Sequence, residues 1–362
     1  MKLKLAAALT SAIVALSAVG CGGGANSSDS ASESPSDSTK PTPTPSTERV
    51  EIMGDVGFST GVHLLGTDAG RDGRTTFRKL DWGGTAKTTE TPVWVMAQWC
   101  SKYDLSKELD AGRSVEKKEG DTFIYEDPSK TFKYNKKTKA VDLIYRASSD
   151  YDTPRTSDQG WSHMLLEQNF ANTPLIGDVD EVRVAIDFTI NQMDRKMTDA
   201  EFDFNIHTAQ LVWFITLTNM SPIYGTQGDY IWFGVPLYDA RGMTRENTIQ
   251  YDKGTAHYIY GLAVHEYLDD KIESSTYDKD YLPIKTDMSF DYNIYPMFKA
   301  AFDTVQQNGG MQGARFEDMA VTYMNMGWEI PGTYDVGVTI RKLDIYGIKN
   351  NSKGENSYKN HI

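Results

Sequence analysis

Residues 229–241, Asp-Tyr-Ile-Trp-Phe-Gly-Val-Pro-Leu-Tyr-Asp-Ala-Arg, alternate at period two in a way that fits a two-faced strand. Ile231, Phe233, Val235 and Leu237 form a wholly apolar face that has to be buried. Tyr230, Trp232, Gly234, Pro236 and Tyr238 form the other, flat rings separated by residues that leave room beside them. Such a strand belongs in a sheet with one face in a core and the other turned to water or a ligand.

The alternation recurs along the chain. Residues 161–170 set Trp161, His163 and Glu167 against Met164, Leu166 and Phe170, and residues 181–190 set Arg183 and Asp187 against Val182, Val184, Ile186 and Phe188. Residues 321–330 bury Met324, Met326, Trp328 and Ile330 and turn Tyr323, Asn325 and Glu329 outward; residues 334–346 bury Val336, Val338 and Ile340. Residues 204–217 read as a strand carrying His207, with Leu211-Val-Trp-Phe-Ile215 apolar on both sides. Thr122–Tyr125, Thr131–Tyr134 and Ala140–Tyr145 are shorter strands, the last two joined by the turn Asn135-Lys-Lys-Thr138.

Helical signals are few. Pro296 opens a helix with Phe298, Phe302 and Val305 at helical spacing, and Gly309-Gly310 ends it. A shorter turn is expected at Thr198-Asp-Ala-Glu201, which has the form of a capping box. Aromatic-rich strands with one or two short helices predict an all-β fold, an antiparallel β-sandwich of the jelly-roll kind.

The first 20 residues read as an export signal: Lys2 and Lys4, an apolar run over residues 5–16, then small residues. That run is too short for a retained membrane-spanning helix. Ala18-Val-Gly-Cys21 resembles the lipobox of bacterial lipoproteins, which implies cleavage before Cys21 and diacylglycerol on its thiol. Cys100, the second of two cysteines, then has no partner within the chain and reads as a small buried hydrophobe. Residues 21–47 are rich in Ser, Thr, Gly and Pro, hold no aromatic residue and cannot form a core, so they read as a tether. The expected layout is a signal over 1–20, a lipidated tether over 21–47 and a single sandwich domain over 48–362. It would sit outside the cytoplasm in the cell envelope as a monomer, touching the membrane only through the Cys21 lipid.

A formal charge of −13 with no basic stripe argues against nucleic acid and anionic headgroups as partners. The polar faces instead suggest sugar. Rings stack on the C–H faces of pyranoses, and planar polar groups bond hydroxyls. Trp161, His163, Arg183, Asp187, Tyr230, Trp232, Tyr238 and Glu329 are the candidate contacts, if the strands share a sheet and no bulge reverses a face. The expected partner is a polysaccharide or glycoconjugate.

Two other readings stay open. A glycoside hydrolase or lyase on the same face would use Glu167 as general acid or His207 as base, with Asp187, Glu329 and Asp239 as further carboxylates. The Glu-x-Asp-x-x-Glu signature of laminarinase-like jelly rolls is absent. His207-Thr-Ala-Gln210 resembles, in reversed order, the Gln-(Ile/Val)-His strand motif of alginate lyases. The third reading is a structural or protein-binding envelope module. No zinc spacing, P-loop, dinucleotide fingerprint or Gly-x-Ser-x-Gly occurs, and no cofactor is expected. Asp150 with Asp152, and Asp178 with Asp180, are the acid pairs suited to a structural calcium in a loop.

Residues 48–362 are broadly similar to concanavalin A-like glycan proteins, and residues 334–346 resemble the closing strand that many of them share. That resemblance implies glycan contact on the concave sheet and no defined activity.

Overall fold

The computed structural model describes residues 47–71, 73–82, 91–244, 246–268 and 282–350. Cys21 and the tether before Thr47 lie outside the described residues. The described residues form an all-β sandwich of two sheets.

The smaller sheet contains β1 (Thr47–Glu51), β5 (Val115–Glu119), β6 (Thr122–Glu126), β7 (Lys130–Asn135), β8 (Val141–Arg146), β10 (Glu181–Arg195), β15 (Met288–Asn293) and β17 (Tyr334–Asn350). Its order is β15-β10-β17-β8-β7-β6-β5, with β1 also against β17. The larger sheet contains β2 (Val62–Leu65), β3 (Thr76–Leu80), β4 (Trp94–Ala97), β9 (Ser162–Asn169), β11 (Gln210–Asn219), β12 (Tyr230–Asp239), β13 (Thr248–Asp252), β14 (His257–Gly261) and β16 (Met319–Ile330). Its order is β13-β14-β12-β11-β16-β9-β4-β2-β3. It is mixed rather than purely antiparallel: β12 pairs parallel with β14, and β2 with β4. In the first case the chain runs out to the edge strand β13 and returns between it and β12.

The apolar faces read from the sequence meet between the sheets. Trp213, Phe233, Met326 and Trp328 from the larger sheet pack in one core with Phe132, Leu143, Ile186 and Val338 from the smaller. Burying each such side chain stabilises the fold by about 1.5–3 kcal/mol. Trp328 spans the gap, its Nε1 donating to Leu143 O at 3.1 Å. Among the described residues four α-helices decorate the sandwich: α1 (Leu105–Asp110), α2 (Ala147–Asp150), α3 (His265–Leu268) and α4 (Tyr295–Gln307). The last carries the expected stripe, with Phe298 edge-on to Phe233 at 4.6 Å.

Two local expectations are corrected and one is met. The strand expected over residues 204–217 begins only at Gln210, because residues 203–209 form a loop held by turns such as His207 N to Asp203 O. At Thr198 the expected turn forms, the Glu201 carboxylate accepting from Thr198 N and Oγ1, both at 2.8 Å. Cys100 is exposed rather than buried, at a left-handed φ of 56° in the bend after β4.

Gly327 shows how closely β16 and β9 approach. A Cβ there would lie 2.2 Å from Met164 O, at φ 149°. Gly327→Ala should therefore lower stability by about 1–3 kcal/mol from backbone strain alone, read as a lower urea midpoint. An unchanged midpoint would contradict the register described.

Candidate functional site

β16 lies between β11 and β9, and its register assembles the outer face of the larger sheet. Asn325 sits opposite Phe214 on one side and Glu167 on the other; Glu329 sits opposite Gln210 and His163; Tyr323 sits opposite Thr216, which faces Trp232. Gly234 is opposite Phe214, and a Cβ there would come within 2.8 Å of the Phe214 ring. The glycine leaves that ring room beside β12.

Rings flank this patch at both ends. Trp232 is edge-to-face with Tyr230 at 5.4 Å, Tyr323 at 5.8 Å and Phe214 at 6.2 Å. Tyr230 stacks on His257 at 3.7 Å. At the far end Trp161 stacks on His163 at 5.9 Å, and Trp99 meets the same imidazole edge-on at 5.7 Å. Trp99 is placed by buried polar neighbours. Gln98 donates to Leu65 O at 2.8 Å, and the fully buried Lys130, 2.9 Å from Asp127, donates to Ser101 Oγ and Tyr103 O at 2.6 Å each. A buried pair satisfied in this way fixes the segment that follows β4.

Glu167 lies at the centre. It is fully buried, and Arg74 reaches it from the loop before β3 at 2.5 Å while also lying over the rings of Trp99 and Tyr323. Burial pushes the Glu167 carboxyl above the usual range, against the opposing pull of Arg74 and Tyr323. Burial also pushes the Tyr323 phenol up, and the Glu167 charge adds to this. His163 is pushed down by burial, with Glu329 at 3.9 Å opposing.

The face holds unpaired groups as well as paired ones. Asn325 Oδ1 and Trp161 Nε1 are buried without a hydrogen bond inside the protein, whereas the Tyr323 phenol is within hydrogen-bonding reach of Glu167 and Arg74, and the His163 ring of the Trp99 and Trp161 backbone. Leaving a buried polar atom unpaired costs about 1–3 kcal/mol, and native proteins keep such atoms few. The face thus gathers a carboxyl, an amide, a phenol, an imidazole and an indole N–H, a mixture of donors and acceptors.

Of the residues expected from sequence, Trp161, His163, Glu167, Tyr230, Trp232 and Glu329 share this face. Four do not. Arg183 and Asp187 lie on β10 in the other sheet, where Arg183 pairs with Glu181 at 2.7 Å and Asp291 at 2.9 Å. A bulge between Leu211 and Val212 sets Tyr238 opposite Leu211 and turns it into the core. His207 is buried in its loop, Nδ1 accepting from Asp203 N at 2.9 Å and Nε2 donating to Arg155 O at 2.7 Å, so it has no lone pair free to act as a base. Asp239 is tied up as well, accepting from Thr208 at 2.6 Å, Gln210 at 2.7 Å and Arg241 at 3.0 Å.

The sequence reading missed Arg74, Trp99, Phe214 and His257. Trp99 and Phe214 were visible as rings at or beside strands; nothing in the sequence ties Arg74 to a carboxylate 93 positions away. Among the described residues no group of three His, Cys, Asp or Glu is placed to hold a metal ion. None of their helices is long and apolar enough to cross a membrane.

No protein-family model matches the sequence, and no curated protein matches it. Solved structures with some likeness include a family 12 xyloglucanase from Bacillus licheniformis, at 10% identity and TM-score 0.36 over 64% of this chain and 95% of that one. Endoglucanase Cel12A from Rhodothermus marinus is similar at 9% identity and TM-score 0.33, over 66% and 96%. A family 11 xylanase from Neocallimastix patriciarum is similar at 8% identity and TM-score 0.32, over 65% and 95%. At these values no residue role and no activity passes from those chains to this one.

The Glu167 environment makes a pH prediction. A carboxyl whose folded pKa is raised favours folding at low pH, and stability falls as pH rises through the folded value. Wild type should thus lose stability relative to Glu167→Gln between pH 4 and pH 8, in urea unfolding at each pH. A difference independent of pH would show that the carboxyl is not so perturbed.

Proposed function

We propose that the outer face of the larger sheet binds a polysaccharide or glycoconjugate, on a protein held by a Cys21 lipid outside the cytoplasm. The observation that carries this reading is one sheet face with rings at both ends, Trp161 with Trp99 and Trp232 with Tyr230, and the polar side chains of His163, Glu167, Asn325 and Tyr323 among them. A sugar hydroxyl both donates and accepts, so one chain of sugars can answer Glu167, Asn325 and Tyr323 while its C–H faces rest on Trp232 and Trp161. The face crosses β9, β16, β11 and β12, about 14 Å at 4.8 Å per strand, which exceeds one sugar ring. Arg74 is already held by Glu167, which favours a neutral chain over an anionic one.

Cleavage is the second reading, because a buried carboxyl that tends to keep its proton is what a general acid requires. Its partner is the weak point. Glu167 faces Asn325 and Glu329 faces His163, so the two glutamates are offset by four residues, about 13 Å along the strands. Retaining hydrolases hold their carboxyls about 5–5.5 Å apart. Asp239 is fully engaged and His207 is a structural residue, so binding is the better-supported function.

Affinity electrophoresis through gels of different polysaccharides tests the proposal. Wild type should be retarded in at least one gel. Trp232→Ala should weaken that retardation at least tenfold in Kd, about 1.4 kcal/mol, while Arg183→Ala on the other sheet should leave it unchanged. Retardation unaffected by Trp232→Ala would remove the binding face proposed here. New reducing ends or unsaturated products would favour cleavage.

A further inference from the structure

At one end of the sandwich, away from the aromatic face, lies a cavity of about 270 Å³ lined in part by Arg195, Arg241, Phe202, Phe204, Tyr238 and Tyr334. The same bulge that removes Tyr238 from the outer face delivers it here. We propose that this cavity is a second binding site, for a small ligand combining one six-membered ring with a carboxylate.

The chemistry of the walls sets that class. Two guanidinium groups, at the end of β10 and just beyond β12, lie near the Tyr334 ring together with the Asp239 carboxylate, which leaves one net positive charge there once Asp199 is displaced. Arg195 lies over Phe202 at 4.9 Å, so its fork is oriented along an apolar wall. Its partner Asp199 is 93% exposed, an ion pair that a better-buried carboxylate can displace. Arg241 is held in place by Asp239 at 3.0 Å. Phe204 is 60% exposed at the rim, an apolar side chain left in water that a bound ring would cover. Tyr334 is pushed up to about 12, chiefly by burial, so its hydroxyl stays protonated as a donor to an anion. The volume falls at the small end of ligand cavities, suiting one ring rather than a chain. A uronic acid and an aromatic acid share this chemistry.

Equilibrium dialysis of the full mature protein with benzoate and glucuronate, beside benzyl alcohol and glucose, tests the site and separates the two sources. At least one carboxylate should bind while its neutral counterpart does not. Arg195→Gln, at a partly exposed position and with its folding checked by melting temperature, should weaken binding at least tenfold, as should Arg241→Gln. Trp232→Ala should leave it intact, which keeps the outcome independent of the glycan face. No binding of either carboxylate to folded wild type, binding indifferent to Arg195→Gln, or binding lost in Trp232→Ala would each overturn the proposal.

Discussion

The outer face of the larger sheet depends on where β16 sits. Wedged between β11 and β9, it brings Asn325 against Glu167 and Glu329 against His163, while its opposite face drives Met324, Met326 and Trp328 into the core. The two faces are coupled because the side-chain period is two: a slip of one residue would expose the methionines and Trp328 and bury the polar set. Core packing therefore fixes the site. Gly327 lets β9 come close enough for that register, since any side chain there would strike the Met164 carbonyl.

The same geometry places a cost at the surface of the core. A fully buried carboxyl answered by one largely exposed arginine and the Tyr323 phenol, beside an amide oxygen without a partner, lowers the stability of the free protein. Against a net stability of about 5–15 kcal/mol for a typical domain, a few such atoms matter. Electrostatics within the face run the same way: Arg74 quenches Glu167, and His163 is held toward its neutral form beside Glu329.

Much of this was legible in the alternation of residues. Ile231 to Leu237, Met324 to Ile330 and Val182 to Phe188 all bury the faces their period implies. Six of the expected site residues meet on one surface. The failures have separate physical causes. Arg183 and Asp187 alternate correctly but belong to the other sheet, and strand order is a long-range property that local pattern does not encode. Tyr238 was reversed by one bulge. His207 sits in a loop whose turns, closed by Asp203, outweighed an apparent strand pattern. Arg74 acts across a separation that no local signal reports.

The most direct test follows the indole N–H signals of the labelled protein while oligosaccharides from several polysaccharides are titrated in. If the outer face is the glycan site, Trp161 and Trp232 should shift with at least one glycan. Trp213, whose Nε1 is equally without a partner but lies in the core, should stay still. Shifts confined to core tryptophans, or none with any glycan, would contradict the account.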